Sequence, residues 1–300
     1  MSKRFSSFRI SSEPHPRTED ASKSASLRFR TLLSGGLALA ALLILIGSGL
    51  LLDPERLLTA PDNRNLPPSW TYWFGTDWLG RDMLARTMKG LTLSIGIGMA
   101  AAMLSALVAL ALGLLAGTMG KQVDAAISWL IDLFLGVPHL VALILISFSL
   151  GGGAKGVLIG IALTHWPSLA RLIRAEVLQL RSSEYVHISR RLGRGRWWIA
   201  TRHFMPHLLP QLFVGAMLLF PHAILHEAAL SFLGLGLPPH EPAIGIILSE
   251  SMRYMSAGLW WLAFFPGLAL LITVGLVDWL SRNVRRWLQP SAALPYMNKR

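Results

Sequence analysis

Long stretches without a charged residue constrain the fold of this chain more than any other feature. Residues 32–52 run for 21 positions and residues 258–277 for 20 positions without Asp, Glu, Lys or Arg. A helix of about 20 apolar residues crosses the roughly 30 Å hydrocarbon core of a bilayer. Charged residues make up only 15% of the chain, whereas soluble domains carry about 25%. The sequence therefore predicts an all-α polytopic membrane protein and excludes a soluble enzyme.

The hydropathy pattern fits six transmembrane helices. We place them near residues 32–52, 91–117, 126–150, 156–170, 211–235 and 258–280. The predicted organisation is then a disordered tail (1–31), a first transmembrane helix (32–52), an external segment (53–90), a five-helix core (91–281) with a loop at about 171–210, and a second tail (282–300).

The distribution of basic residues predicts the orientation. With the amino terminus inside, the inner segments hold 21 of the 28 Lys and Arg residues, and the outer segments hold 7. Cytoplasmic loops favour Lys and Arg, so both termini are predicted to be cytoplasmic. Membrane topology thus explains the formal net charge of +12 better than nucleic-acid binding does.

The absence of cysteine excludes disulfides and thiolate catalysis.

A polar segment precedes the second span on the predicted external side. It contains the turn residues Gly75, Asp77, Gly80, Arg81 and Asp82. Short acidic side chains beside glycines favour tight turns with side-chain-to-backbone hydrogen bonds. We expect Asp77, Arg81 and Asp82 to pair with one another and to fix the entry into the second span, which is a structural role and not a ligand site.

The loop at about 171–210 lies on the predicted cytoplasmic side and has the pattern of a helical elbow. Ser182 or Ser183 can cap a helix that begins at Glu184, whose charge suits the helix dipole. Gly193 is expected to end this helix, because glycine accepts the left-handed conformation.

A second short helix is predicted over 196–204, ending where Pro206 and Pro210 interrupt it. The whole loop carries eight arginines and only two acidic residues. Positive charge on the inner side explains the arginines, but it does not explain a capped helix, a placed glycine and a second helix. We interpret the loop as a docking surface for a protein partner.

Histidines near the fifth span suggest a metal site, because imidazole binds zinc, nickel and copper. The candidate ligands are His222, His226 and His240. However, His226-Glu227 lacks the second histidine four residues later that a zincin helix requires. A hydrogen-bonding structural role is therefore the favoured interpretation of these histidines.

The chain contains no Gly-x-x-x-x-Gly-Lys-Ser/Thr phosphate loop, so we expect no ATP site of that kind. It also has no acidic residue in the middle of a span beside an evident proton-relay partner, which argues against a proton-driven transporter. Energy for transport would then have to come from a partner.

Three ordered motifs resemble one known family. They are Phe74-Gly-Thr-Asp77-x-x-Gly80-Arg-Asp82, then Glu184-Tyr-Val…Leu192-Gly193 with Arg202-His203-x-x-Pro206, then Glu227-Ala-Ala-Leu-Ser-Phe-Leu-Gly-Leu-Gly236. Over roughly residues 30–290, their order and separation resemble the inner-membrane permease subunits of ABC importers for peptides, nickel and related solutes. The resemblance is to the second-permease type of dipeptide and oligopeptide systems.

The resemblance implies a six-helix permease with the MetI-like fold of type I importers, and no enzymatic activity. Neither catalytic residues nor cofactors are expected in this chain, since ATP and Mg²⁺ would be bound by a partner ATPase. The loop would dock onto that ATPase through Glu184, Tyr185, Gly193 and Arg202. The other expected partners are a second permease subunit that forms a heterodimer with this chain, a second ATPase subunit, an extracytoplasmic solute-binding protein and membrane lipid.

The substrate stays open at this point. Peptides, nickel or another metal–chelate complex, and opine-like molecules all fit the family. This sequence departs from the family pattern at 187–189, where His-Ile-Ser replaces the usual alanine-rich stretch. The departure affects the expected packing of the helical elbow but not its existence.

The alternative function is that of a secondary transporter or channel that works alone.

Overall fold

A computed structural model describes the backbone of residues 17–288 and the side chains of residues 30–288. Almost all of this range is helical. Its α-helices are α1 (Arg17–Leu50), α2 (Met83–Thr118), α3 (Lys121–Gly136), α4 (His139–Ser149), α5 (Gly153–Arg181), α6 (Glu184–Arg191), α7 (Arg196–Ile199), α8 (Met205–Phe232), α9 (Ile244–Met252) and α10 (Trp261–Leu288).

Five helical segments in the described range are long and apolar enough to cross a membrane. They are Arg30–Leu50 of α1, α2, α5, the continuous segment Arg196–Phe232, and α10. The consecutive helices α3 and α4 pass the same test together, although they are bent by 101°. The predicted all-α polytopic fold is confirmed, and the number of spans is six if the bent pair counts as one.

The helices extend beyond the predicted spans at both ends of the chain. Helix α1 begins at Arg17, inside the tail predicted to be disordered over 1–31, because the added residues include neither glycine nor proline. Helix α10 ends at Leu288 and so includes part of the predicted tail 282–300. The remainders of the two predicted tails, 1–16 and 289–300, lie outside the described residues.

The third predicted span is a bent pair of helices, and Pro138 explains the bend. A residue before proline is disfavoured in the helical conformation, and Val137, which precedes Pro138, is extended with φ −87° and ψ 137°. The short helix α4 then packs closely on α5. A Cβ atom added to Gly160 of α5 would lie 3.3 Å from the side chain of Leu143 of α4, which is closer than an ordinary contact. The side chain of Leu143 therefore packs directly on the backbone of α5.

Helices α2 and α5 form the centre of the bundle, and small residues allow their close approach. A Cβ atom added to Gly113 would lie 2.7 Å from Ile173, and one added to Gly117 would lie 2.3 Å from Val177. Glycine at these positions therefore lets the two backbones pack directly, as is usual for helices in lipid.

The buried apolar side chains form two large clusters along the helix axes, and a third, small cluster surrounds Met83 at the start of α2. One cluster includes Leu91 of α2 and Ile224 of α8, together with residues of α9. The other includes Ile173 of α5 and extends to Val186 of α6 and Leu208 of α8. Helices α2, α5 and α8 contribute to both clusters, so the two polar segments singled out in the sequence lie at opposite ends of one bundle.

Candidate functional site

An ion-pair network lies where α2 begins, and we call it the turn network (Asp77, Arg81, Arg86 and Glu250). Asp77 Oδ2 accepts hydrogen bonds from Arg81 Nε at 2.7 Å and from Arg86 Nη1 at 2.8 Å. Arg86 Nη2 donates to Glu250 Oε2 at 2.7 Å. Asp77 and Arg86 are buried. Two positive and two negative charges thus compensate one another, and they join the start of α2 to α9.

The turn that carries Asp77 requires glycine. Asp77 Oδ1 accepts from the backbone amides of Leu79 and Arg81, each at 2.9 Å, which closes the turn. Gly75 and Gly80 adopt positive φ values of 72° and 79°. A Cβ atom at Gly80 would lie 1.8 Å from the carbonyl oxygen of Ala60, so no side chain fits there.

Asp82 does not pair with Asp77 or Arg81, as was expected from the sequence, but caps a helix. It caps α2 by accepting from the amide of Leu84 at 2.9 Å, and it faces Arg56 at 3.8 Å. The expected pair Asp77–Arg81 forms, whereas Asp82 joins neither residue in an ion pair among the described residues. The cap also starts α2 at Met83, eight residues before the predicted span. The first turns of α2 are therefore part of the segment that was expected to lie outside the membrane.

Arg86 and Glu250 complete the network, and the sequence reasoning did not connect them. They are 164 positions apart, so no local pattern indicates their contact. Aromatic rings reinforce this link. Trp78 stacks on Tyr254 with centroids 4.7 Å apart, and the guanidinium carbon of Arg86 lies 5.6 Å from the centre of the Trp78 ring.

At the opposite end of the bundle, residues 182–204 form what we call the elbow. Its first helix begins at Glu184, as the sequence predicts. Ser183 occupies the capping position, but its hydroxyl donates to the Leu180 carbonyl at 2.6 Å, so neither expected serine caps the helix through its side chain. Gly193 follows the helix in the left-handed conformation, with φ 77°, and the amide of Arg194 donates to the carbonyl of Ser189 at 3.1 Å.

The second part of the elbow does not end at the prolines. Helix α7 passes through a π-helical turn, Ala200–Phe204, directly into α8. Pro206 follows the π-helical turn directly, as the second residue of α8, and Pro210 lies inside that helix. The predicted interruption is therefore wrong, and the elbow is continuous with a span.

His203 connects the two helices of the elbow. Its Nε2 lies 2.9 Å from the Ser189 hydroxyl, and its ring contacts those of Tyr185 and Trp198 at centroid distances of 5.3 and 5.2 Å. Val186 of α6 is buried against the bundle. These contacts fix the shape of the elbow and anchor it to the helices.

The outer surface of the elbow combines apolar and positively charged side chains. All four expected docking residues, Glu184, Tyr185, Gly193 and Arg202, are exposed. Large apolar side chains beside them are also exposed, with Trp197 at 80% and Leu192 at 74%. A neighbouring cavity of about 360 Å³ is lined by Arg181, Arg190, Arg194 and Arg196. Exposed apolar patches bordered by charge are typical of protein interaction sites.

The structure brings together a different set of histidines from the predicted one. His139, His165 and His226 each offer a ring nitrogen, and these nitrogens all lie within 4.8 Å of one another. His222 and His240 are exposed and are not members of this group. The sequence reasoning missed the group because its members lie on three different helices, and spacing along the chain does not indicate such contacts.

Comparisons with known proteins give one consistent result. Residues 109–290 match the family described as "Binding-protein-dependent transport system inner membrane component". The chain is 32% identical over 290 residues to the dipeptide transport system permease protein of Bacillus subtilis (strain 168), covering 90% of this chain and 91% of that protein. It is 37% identical over 233 residues to a putative peptide permease protein of Brucella suis biovar 1, covering 77% and 76% of the two chains.

Among solved structures, the fold is similar to that of a chain of the MetNI methionine ABC transporter in inward-facing conformations. The TM-score is 0.56, with coverage of 69% of this chain and 97% of that chain. The sequence identity is 17%, so this similarity concerns the fold alone.

Proposed function

This chain belongs to the family of binding-protein-dependent inner-membrane transport components, the multi-pass permeases of ABC importers, and we propose that its substrates are short peptides. The observation that carries the proposal is the similarity to a dipeptide permease over nine-tenths of both chains. Nickel, metal–chelate and opine substrates have no comparable support.

We further propose that the elbow receives the mechanical input of a partner ATPase. Its exposed tryptophan and leucine side chains provide apolar contact area, and the arginines around the adjacent cavity favour an acidic groove on the partner. The partner would bind ATP and Mg²⁺. A second permease would complete the pathway, and a solute-binding protein would deliver the substrate. Alternating access then needs two arrangements of α8 that the ATPase biases through the elbow.

The proposed activity is tested by uptake into proteoliposomes that contain the permease with its ATPase, second permease and binding protein. We expect accumulation of a labelled dipeptide that requires ATP hydrolysis and the binding protein. Unlabelled dipeptides should compete for uptake, whereas Ni²⁺ alone should not. Downhill flux of solute through this chain alone would instead support the secondary transporter or channel.

The orientation is proposed from the distribution of basic residues: both termini and the elbow in the cytoplasm, and the turn network on the other side. The absence of native cysteine makes a single introduced cysteine a unique label. Trp70 is 96% exposed near the turn network and Leu192 is 74% exposed on the elbow. In intact spheroplasts, a membrane-impermeant maleimide should label Trp70→Cys, and it should label Leu192→Cys only after permeabilisation. The reverse pattern would contradict the orientation.

A further inference from the structure

Three histidines from three helices meet inside the bundle, and we call them the histidine cluster (His139, His165 and His226). His139 is the first residue of α4, His165 lies within α5, and His226 lies in the second half of α8. The ring centroids are 4.5, 4.7 and 4.9 Å apart. The ring planes meet at 75° to 86°, so no two of these rings stack face to face.

The hydrogen bonds of the cluster leave ring nitrogens available. His165 Nδ1 lies 3.0 Å from the carbonyl oxygen of Ile161, and His226 Nδ1 lies 2.7 Å from that of His222. A carbonyl can only accept, so each Nδ1 carries the proton and each Nε2 keeps its lone pair. Metal-binding histidines are typically held in this way, with the second ring N–H donated to a carbonyl.

Two of the remaining nitrogens are buried without a partner among the described residues, namely Nε2 of His165 and Nε2 of His139. His165 is 93% buried, since only 7% of its surface is exposed. A buried polar atom without a hydrogen bond is costly and calls for an explanation. A cation at the centre of the cluster supplies that missing partner.

The ring nitrogens can bind a metal ion if they move slightly closer together. Zinc binds imidazole nitrogen at about 2.0–2.1 Å, which places tetrahedral ligands about 3.3 Å apart. The separations of up to 4.8 Å must therefore shorten by at most about 1.5 Å, which side-chain rotations can provide. Three imidazoles without a carboxylate favour zinc, nickel or copper over magnesium or calcium.

We propose that the histidine cluster binds one divalent transition-metal cation of the zinc, nickel and copper class. Three protein ligands leave a fourth position for water or for a donor atom of a passing solute. Half-buried His139 and His226 give the ion access to the site. The bound ion links α4, α5 and α8. This proposal does not depend on the peptide substrate, because binding is measured on the purified chain without transport.

The test is a titration of the purified permease in nanodiscs with Zn²⁺, Ni²⁺ and Co²⁺, after removal of metal by a chelator. We expect one ion per chain and visible absorption typical of tetrahedral Co²⁺. Each of His139→Ala, His165→Ala and His226→Ala should weaken Zn²⁺ binding by more than about tenfold. The matched controls are His240→Ala and His187→Ala, which remove exposed histidines outside the cluster and should bind as the wild type does.

X-ray absorption at the zinc edge keeps the proposal testable if a variant fails to fold, because it uses the wild-type chain. The spectrum should show three imidazole nitrogens at about 2.0–2.1 Å. A wild-type chain that binds no stoichiometric metal would overturn the proposal. A folded triple variant that retains the site, or equal competition by Mg²⁺, would overturn it as well.

Discussion

Replacing Arg86 with alanine is expected to destabilise the folded permease by about 3 kcal/mol, the lower end of the range for breaking a buried ion pair, because the carboxylate of Asp77 loses one of two cationic partners. Asp77 is fully buried, and Arg86 Nη1 is one of its two cationic partners. Glu250 loses its 2.7 Å contact at the same time, and Arg81, at 4.0 Å, is its remaining cationic neighbour in the described part of the chain. The measurement is thermal unfolding of the purified chain in detergent.

The matched control is Arg56→Ala, which removes an exposed arginine 3.8 Å from Asp82. Surface ion pairs of this kind contribute about 0–1 kcal/mol, so this variant should unfold close to the wild type. A double variant, Asp77→Asn with Arg86→Met, removes one charge of each sign and should recover part of the loss. If Arg86→Ala unfolds like Arg56→Ala, the turn network does not hold α2 to α9.

Replacing Gly193 with valine is expected to reduce ATP-driven uptake about tenfold while the chain still inserts and folds. A side chain in the left-handed conformation costs roughly 1–2 kcal/mol, and 1.4 kcal/mol is a factor of ten in an equilibrium. Across residues 30–288, no atom outside the neighbouring residues lies within 4 Å of a Cβ added to Gly193, so the effect comes from the backbone and not from a clash. Uptake and stimulation of the ATPase activity should fall together.

Two substitutions isolate the backbone effect. Gly195→Val places the same side chain two residues later, where φ is −70° and space is also open, so transport should stay near the wild type. Gly193→Asn should retain most of the activity, because asparagine tolerates the left-handed conformation. Equal losses in Gly193→Val and Gly195→Val would show that the left-handed conformation at Gly193 does not matter for coupling.

The helices of this chain could be predicted from the sequence because their signals are local. Apolar length indicates the spans, and Gly193 indicates the end of α6. Pro138 lies within the third predicted span and carries a local signal for the bend, since proline restricts the residue before it. Pro206 misleads in the opposite direction, because the helix continues past it through the π-helical turn Ala200–Phe204.

The contacts that build the sites could not be predicted in this way. Arg86 and Glu250 are 164 positions apart, and the histidine cluster draws on three helices. Such pairs depend on how helices are oriented about their axes, which glycines such as Gly117 help to set by allowing direct backbone contact. The sequence indicates the chemistry of these residues but not which of them face one another.

The continuity of the elbow with α8 has a consequence for regulation. Arg196–Phe232 is a single run of 37 residues, about 55 Å long at 1.5 Å per residue. Its far end packs on α9, which carries Glu250. Thermodynamic linkage is reciprocal. If one ligand changes the affinity for a second ligand through the tilt of this segment, the second must change the affinity for the first by the same factor. In the proposed orientation, a loaded delivery protein and nucleotide would then influence the binding of each other through a single helix.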